Sequence, residues 1–149
     1  MDIITKIIIE SGVFLCLFLL SYLDIKNKSF PSPLTTGMVL VLAMLYFHNI
    51  PFGLLAFIFG LLLIEGIYEA DTPYVSGVGD LKIIVILGLT VTNMLMFGLM
   101  MIFIVIYGTF YVIGMKSLFK KEKEVAFAPV FLAVFITLKI IEVYNGVWI

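Results

Sequence analysis

Two aspartates in this 149-residue chain stand at the ends of long apolar runs, where a carboxylate is costly and usually has a function. Asp24 closes the first run, just before the polar stretch 26–28, and Asp80 opens a later run after Gly77 and Gly79. Two neighbouring carboxylates cannot both ionise cheaply, so such a pair shares a proton near neutral pH. The ionised member can take a proton from water while the other donates one, which is general acid–base hydrolysis. The sequence thus suggests hydrolysis of a peptide bond.

The residues around Asp80 suit an extended substrate. Gly77 and Gly79 permit backbone conformations and close approaches that other residues obstruct, so a peptide could lie against this loop with its scissile bond near Asp80. Lys82 could hold anionic lipid headgroups or tune the pair by its charge. In a simpler interpretation, Asp80 is only a solvated carboxylate at a helix N-terminus, where negative charge is favourable. Charge and spacing leave both interpretations open.

Three further acidic residues end the third apolar run, close in sequence to this loop: Glu65, Glu69 and Asp71. Their negative charge could attract a basic substrate segment, although a solvated helix end would look the same. The chain has one cysteine and one histidine, which excludes an internal disulfide and a cysteine-rich zinc module. We expect no metal and no cofactor.

The composition indicates a polytopic membrane protein. Hydrophobic residues make up 63% of the chain and charged residues 13%, whereas soluble domains have about half and about a quarter. Apolar runs of spanning length recur throughout. We predict an all-α fold of about six transmembrane helices, forming one integral-membrane domain over residues 1–149 in a lipid bilayer. All basic residues are lysines without a dense basic run, so no nucleic-acid binding is expected.

Six apolar segments are predicted, with turns at 49–51 and 92–93; the segments are 3–23, 34–47, 52–68, 81–91, 94–115 and 125–143. From Asp80 to Asn93 the chain spans only ~20 Å as helix, against a hydrocarbon core ~30 Å thick. We therefore expect Asp80 to lie in a water-filled recess rather than in a locally thin bilayer. Lys139 is the only charge that we place in the middle of a segment, where it could snorkel or pair near Glu142.

The lysines predict an orientation in the membrane. The loops after the first and fifth segments carry most of them, namely Lys26, Lys28, Lys116, Lys120, Lys121 and Lys123, and the turns near 48–51 and 92–93 carry none. The positive-inside rule places the lysine-bearing loops in the cytoplasm, and six spans then leave both termini outside. The loop before Asp80 also falls inside. Asp24 and Asp80 thus lie on the same side of the membrane, although the assignment from the lysines did not assume this.

Two motifs carry these aspartates. The first is an aspartate, a basic polar stretch and an apolar residue before proline: Asp24-Ile25-Lys26-Asn27-Lys28-Ser29-Phe30-Pro31. The second is Gly-x-Gly-Asp followed by an apolar residue and lysine: Gly77-Val78-Gly79-Asp80-Leu81-Lys82. In this pair and order, the chain resembles the type IV prepilin peptidases, intramembrane aspartic proteases whose peptidase domain has six spans. It departs from the family at Ser32-Pro33, where many members have asparagine and no second proline.

The resemblance implies a membrane aspartic endopeptidase with Asp24 and Asp80 as its catalytic pair. Its substrates would be prepilins or pseudopilins, and it would remove their short basic leader at the cytoplasmic face of the cell membrane. The chain has no room for the extra domain that longer members use for N-methylation, so the resemblance is to the short preflagellin and tight-adherence pilus peptidases. The particular substrate, the oligomeric state and the division of acid and base roles stay open.

Other classes fit parts of the pattern. A proton- or ion-relay component of a transporter would use intramembrane carboxylates, preferably near the bilayer midplane. A non-catalytic membrane subunit of a secretion system would tolerate Asp24→Asn and Asp80→Asn. A presenilin-like or signal-peptide-peptidase-like protease would share Gly-x-Gly-Asp, but such enzymes resemble a larger chain with more spans.

Overall fold

A computed structural model describes residues 2–27, 31–69, 78–118 and 126–146, and these residues form six α-helices. The helices are α1 (Ile3–Asn27), α2 (Ser32–Leu45), α3 (Ile50–Glu69), α4 (Val78–Thr90), α5 (Met94–Leu118) and α6 (Ala128–Tyr144). A short 3-10 helix, Phe47–Asn49, joins α2 to α3. Within these four ranges there is no strand, so the described fold is all-α, as predicted.

Three stretches of the described helices are long and apolar enough to cross a membrane: Ile3–Asn27, Phe47–Glu65 and Met94–Met115. Helix α2 is a shorter apolar helix. Large apolar side chains such as Leu15, Ile58 and Phe110 are exposed on the outer faces of α1, α3 and α5. Such surfaces are favourable in lipid and costly in water. These features indicate a multi-pass membrane protein.

Helix α4 is enclosed by the rest of the bundle. Nine of its 13 residues are buried, and it packs against α2, α3 and α6. As a helix it is only ~20 Å long, less than the ~30 Å of a hydrocarbon core. Because other helices cover α4, the polar backbone groups at its two ends are shielded from lipid despite its short length. Asp80, in its first turn, is consequently surrounded by protein.

Small residues set the close approach of α3 and α4. A Cβ atom added to Gly88 would lie 2.8 Å from the carbonyl oxygen of Phe52, and Ala56 is fully buried at the same contact. Gly60 faces Leu81 in the same way. Ala56 and Gly60 thus allow α3 and α4 to approach closely. Two glycines of α5 have open space beside them instead: Gly98 and Gly114.

The predicted segments match the helices to within a few residues, with two differences. Helix α1 continues to Asn27, so Asp24 lies inside its last turn rather than at its end. The predicted turn at 49–51 is wrong, because the 3-10 helix makes the turn and α3 already begins at Ile50. Pro51 fits there, since the first helical positions have no intrahelical partner for their N–H groups.

Asn49 binds the 3-10 helix to the end of α4. Its side-chain amide donates hydrogen bonds to the carbonyl oxygens of Leu89 (2.9 Å) and Val91 (2.8 Å). The last carbonyl groups of a helix have no partner within the helix. Asn49 therefore satisfies acceptors at the C-terminal end of α4 and fixes where α3 starts.

Candidate functional site

The contacts between helices place Asp24 and Asp80 at the same end of the bundle. Helix α2 runs parallel to α4, because Ser32 at its start contacts Lys82 and Asn49 beyond its end contacts Leu89. Ser32 follows the end of α1 by only five residues, a distance of at most ~18 Å. The end of α1 and the starts of α2 and α4 therefore lie together, and we call this the aspartate end.

Asp24 joins α1 to α6. Its side chain is only 6% exposed, and its Oδ2 accepts a hydrogen bond from the backbone N–H of Ala128 at 2.9 Å. Ala128 is the first residue of α6, whose preceding residue Phe127 supplies no side-chain cap. Asp24 therefore caps α6 from a different helix, at the end where negative charge is favourable.

Asp80 occupies the first turn of α4 and is also 6% exposed. Two residues on, the Lys82 ammonium donates hydrogen bonds to Ser32 Oγ at 2.6 Å and to Thr36 Oγ1 at 2.8 Å. These bonds hold the start of α2 against the start of α4. Binding of headgroups by Lys82, or tuning of the aspartates by it, stays a prediction.

The remaining predicted site residues are only partly described. Gly79 lies in the first turn of α4 with helical backbone, so it does not use the left-handed conformation that glycine permits. Among the described glycines only Gly146 has a positive φ, of 67°. Glu65 is exposed on α3. The others lie outside the residues or side chains that the structure describes: Gly77, Glu69 and Asp71.

An apolar groove of about 360 Å³ runs beside α4 from the aspartate end. Its lining comes from α2, α3 and α4, with Val78 and Lys82 at one end and Leu89 at the other. Among the described residues that line it, only Lys82 is charged. The groove can therefore take an apolar segment whose polar end stays near Asp80.

A second polar group, which the sequence interpretation largely missed, lies within the bundle. The Lys139 ammonium donates to Glu10 Oε1 (2.9 Å), to Glu142 Oε2 (2.7 Å) and to the carbonyl oxygen of Thr90 (3.0 Å). Glu10 is 4% exposed and Glu142 fully buried. We call these three charged residues the Glu10 cluster.

The Glu10 cluster corrects one prediction and confirms another. The pairing of Lys139 with Glu142 is confirmed. The prediction that Lys139 is the only charge in the middle of a segment is wrong, because Glu10 lies well inside α1 and its candidate span. The sequence did contain a signal for this cluster, because Glu10 is a single glutamate inside an apolar run of spanning length.

No family model, curated protein or solved structure matches this chain. In the part of the chain that the structure describes, no group of three or more His, Cys, Asp or Glu side chains could hold a metal ion. The function is therefore inferred from the aspartates, their surroundings and the two sequence motifs.

Proposed function

We propose that this protein is a membrane aspartic endopeptidase that removes the basic leader of prepilins or prepilin-like proteins at the cytoplasmic membrane face. The observation that carries the proposal is the placement of two buried carboxylates, Asp24 from α1 and Asp80 from α4, at the same end of the bundle. Both stand in the motifs described above. Water, activated by this pair, attacks the scissile carbonyl carbon without a covalent intermediate.

Burial supports a chemical role for these carboxylates. A charged group removed from water is costly unless it is paired or hydrogen-bonded. Asp24 has the backbone N–H of Ala128, which keeps one oxygen oriented toward the start of α6. In the proposal, Asp24 acts on water together with Asp80, which lies at the same end of the bundle.

The apolar groove supports the proposed substrate class. In this proposal the leader lies in the aqueous region, and the apolar helix that follows the cleavage site lies along α4 in the groove. Lys82 at the groove's polar end is held by α2 oxygens and marks the boundary between these parts. The acidic residues Glu65, Glu69 and Asp71 would attract the basic leader.

The proposal includes six transmembrane helices with the aspartate end in the cytoplasm. Lys26 lies in the last turn of α1, at this end, which agrees with the positive-inside rule. Helix α4 is too short for both of its ends to reach the bilayer surfaces, so the proposal places Asp80 below the surface, in a recess that water can enter.

Leader cleavage in proteoliposomes tests the proposal. The wild type is compared with Asp24→Asn, Asp80→Asn and the control Asp2→Asn, which removes an exposed carboxylate at the start of α1. We expect the wild type and Asp2→Asn to shorten a prepilin and create one new N-terminus. Each of the other two variants should lose at least ~100-fold in rate, since general acid–base catalysis contributes about that much or more.

Two outcomes would contradict the proposal. Cleavage that survives Asp24→Asn or Asp80→Asn would remove that residue from the catalytic pair. A folded wild type that cleaves none of several prepilins would favour a relay component or a non-catalytic subunit.

A proton- or ion-relay component is the second candidate function, and the Glu10 cluster favours it. Glu10 and Glu142 are buried carboxylates within apolar helices, where ionisable groups commonly mark proton or ion pathways. Glu142 lies two residues before the end of α6 and Glu10 seven residues after the start of α1, so neither is at the centre of its helix, the position that a midplane relay prefers.

A further inference from the structure

The Glu10 cluster has an uneven count of charges. Two carboxylates, Glu10 and Glu142, share one ammonium, that of Lys139, and the three side chains are at most 13% exposed. In a low-dielectric interior an uncompensated charge is expensive. Binding of one proton would make the Glu10 cluster neutral.

The Lys139 ammonium uses its full capacity to donate hydrogen bonds. An ammonium group has three N–H donors and no acceptor. All three donors have partners: a Glu10 oxygen, a Glu142 oxygen and the Thr90 carbonyl oxygen. An ammonium group has no acceptor, so a proton that is added to the cluster can bind only a carboxylate.

The two carboxylates differ in how fully they are bonded. Glu142 uses both oxygens, accepting from Lys139 at 2.7 Å and from the Thr92 hydroxyl at 3.2 Å. Glu10 uses Oε1 for Lys139, while its buried Oε2 has no hydrogen-bond partner among the described residues. Glu10 Oε2 is therefore the atom that can take a proton without breaking an existing bond.

The neighbouring groups can accommodate either state of Glu10. The buried Tyr46 hydroxyl, in the turn after α2, likewise has no partner within the described ranges, and it interacts electrostatically with Glu10 and Glu142. A hydroxyl can accept from a carboxylic acid or donate to a carboxylate, directly or through one water. Lys6, one turn before Glu10 on α1, places a positive charge near this carboxylate.

We propose that the Glu10 cluster is a proton-binding site, in which one proton from the aqueous phase binds Glu10 Oε2 and is released again while the Lys139–Glu142 ion pair persists. One O–H bond forms on binding and breaks on release, and no other bond changes. The site lies away from the aspartate end and does not depend on peptidase activity.

Infrared difference spectra of the protein in liposomes, recorded between acidic and alkaline buffer, test this site. The parent chain carries Asp24→Asn and Asp80→Asn, so that the proposed catalytic pair does not contribute. We expect a carbonyl-stretching band of a buried carboxylic acid in the parent. The band should persist after Asp2→Asn, which removes an exposed carboxylate of the same helix region, and disappear after Glu10→Gln.

A second variant, Lys6→Gln, tests the pH at which the band titrates, a quantity that a purely structural ion pair would not change. Lys6→Gln removes the positive charge one turn from Glu10, so the band should titrate at a higher pH than in the parent. This result also tests the site if Glu10→Gln does not fold. Three outcomes would overturn the proposal: a band retained in Glu10→Gln, no band in the parent at any pH, or a titration unaffected by Lys6→Gln.

Discussion

Asp24 combines a structural contact with the proposed chemistry. Its Oδ2 accepts the Ala128 N–H at the start of α6, a contact that needs only an oxygen acceptor. The proposed hydrolysis needs in addition a group that can gain and lose a proton. Asparagine provides the acceptor without the titration, and alanine provides neither, so the two roles can be separated.

We expect Asp24→Asn to keep close to wild-type stability and Asp24→Ala to lose about 1–2 kcal/mol, because only the second leaves the N–H of Ala128 without its cap. Thermal unfolding in detergent, followed by circular dichroism, measures both. Equal losses in the two variants would show that the negative charge, rather than the acceptor atom, stabilises α6.

At this scale the sequence revealed the aspartates more readily than the glutamates. Asp24 and Asp80 were recognisable because each ends or begins an apolar run next to a short motif. Glu10 and Lys139 are 129 residues apart, and no local pattern links residues at that separation. Nor does residue type show that Lys82 would bond to α2, since that contact depends on how the helices pack.

Among the elements, α4 depends most on exact packing distance. Gly88 brings its backbone against the carbonyl group of Phe52 and the side chain of Ala56 on α3. The backbone of a helix cannot yield as a flexible side chain can. The contact therefore limits this position to glycine and keeps Asp80 at a fixed place relative to α3.

Gly88→Ala should destabilise the bundle by about 1–3 kcal/mol, because the added methyl group would have to push α3 and α4 apart. Gly98→Ala is the matched control, since the same change in α5 meets open space. It should be neutral or stabilising by up to ~1 kcal/mol, because alanine favours helix. Unfolding in mixed detergent measures both, and equal stabilities would refute the close α3–α4 contact.

The elements themselves followed from the lengths of apolar runs and the positions of proline and polar residues. Such patterns place helices well but their ends poorly, as α1 shows by continuing beyond Asp24 to Asn27. The start of α3 at Ile50 depends on Asn49 bonding to α4, a tertiary contact that the local sequence does not encode.

In the whole molecule, α1 and α6 run antiparallel and connect two polar sites. They meet through Asp24 and Ala128 at the aspartate end, and through Glu10 and Lys139 toward the other end. The 3-10 helix with His48 lies beyond the end of α2, away from the aspartate end. A membrane-spanning bundle therefore exposes Lys26 and His48 on opposite sides.

Thiol labelling tests this orientation. In a Cys16→Ala background, which removes the only cysteine, we expect Lys26→Cys to react with an impermeant reagent from the cytoplasmic side and His48→Cys from the opposite side. Both native side chains are exposed, so the introduced thiols should be accessible. Right-side-out and inverted vesicles supply the two sides. Labelling of both positions from one side would contradict the topology.

The pairing of Glu10 with Lys139 also has a consequence for biosynthesis. At ~5–20 residues per second, a ribosome needs on the order of ten seconds to reach Lys139, 129 positions after Glu10. During that time α1 enters the bilayer without the ammonium that later binds its glutamate. The nascent chain can form this ion pair only after α6 has been made. The final packing of α1 therefore depends on the synthesis of α6.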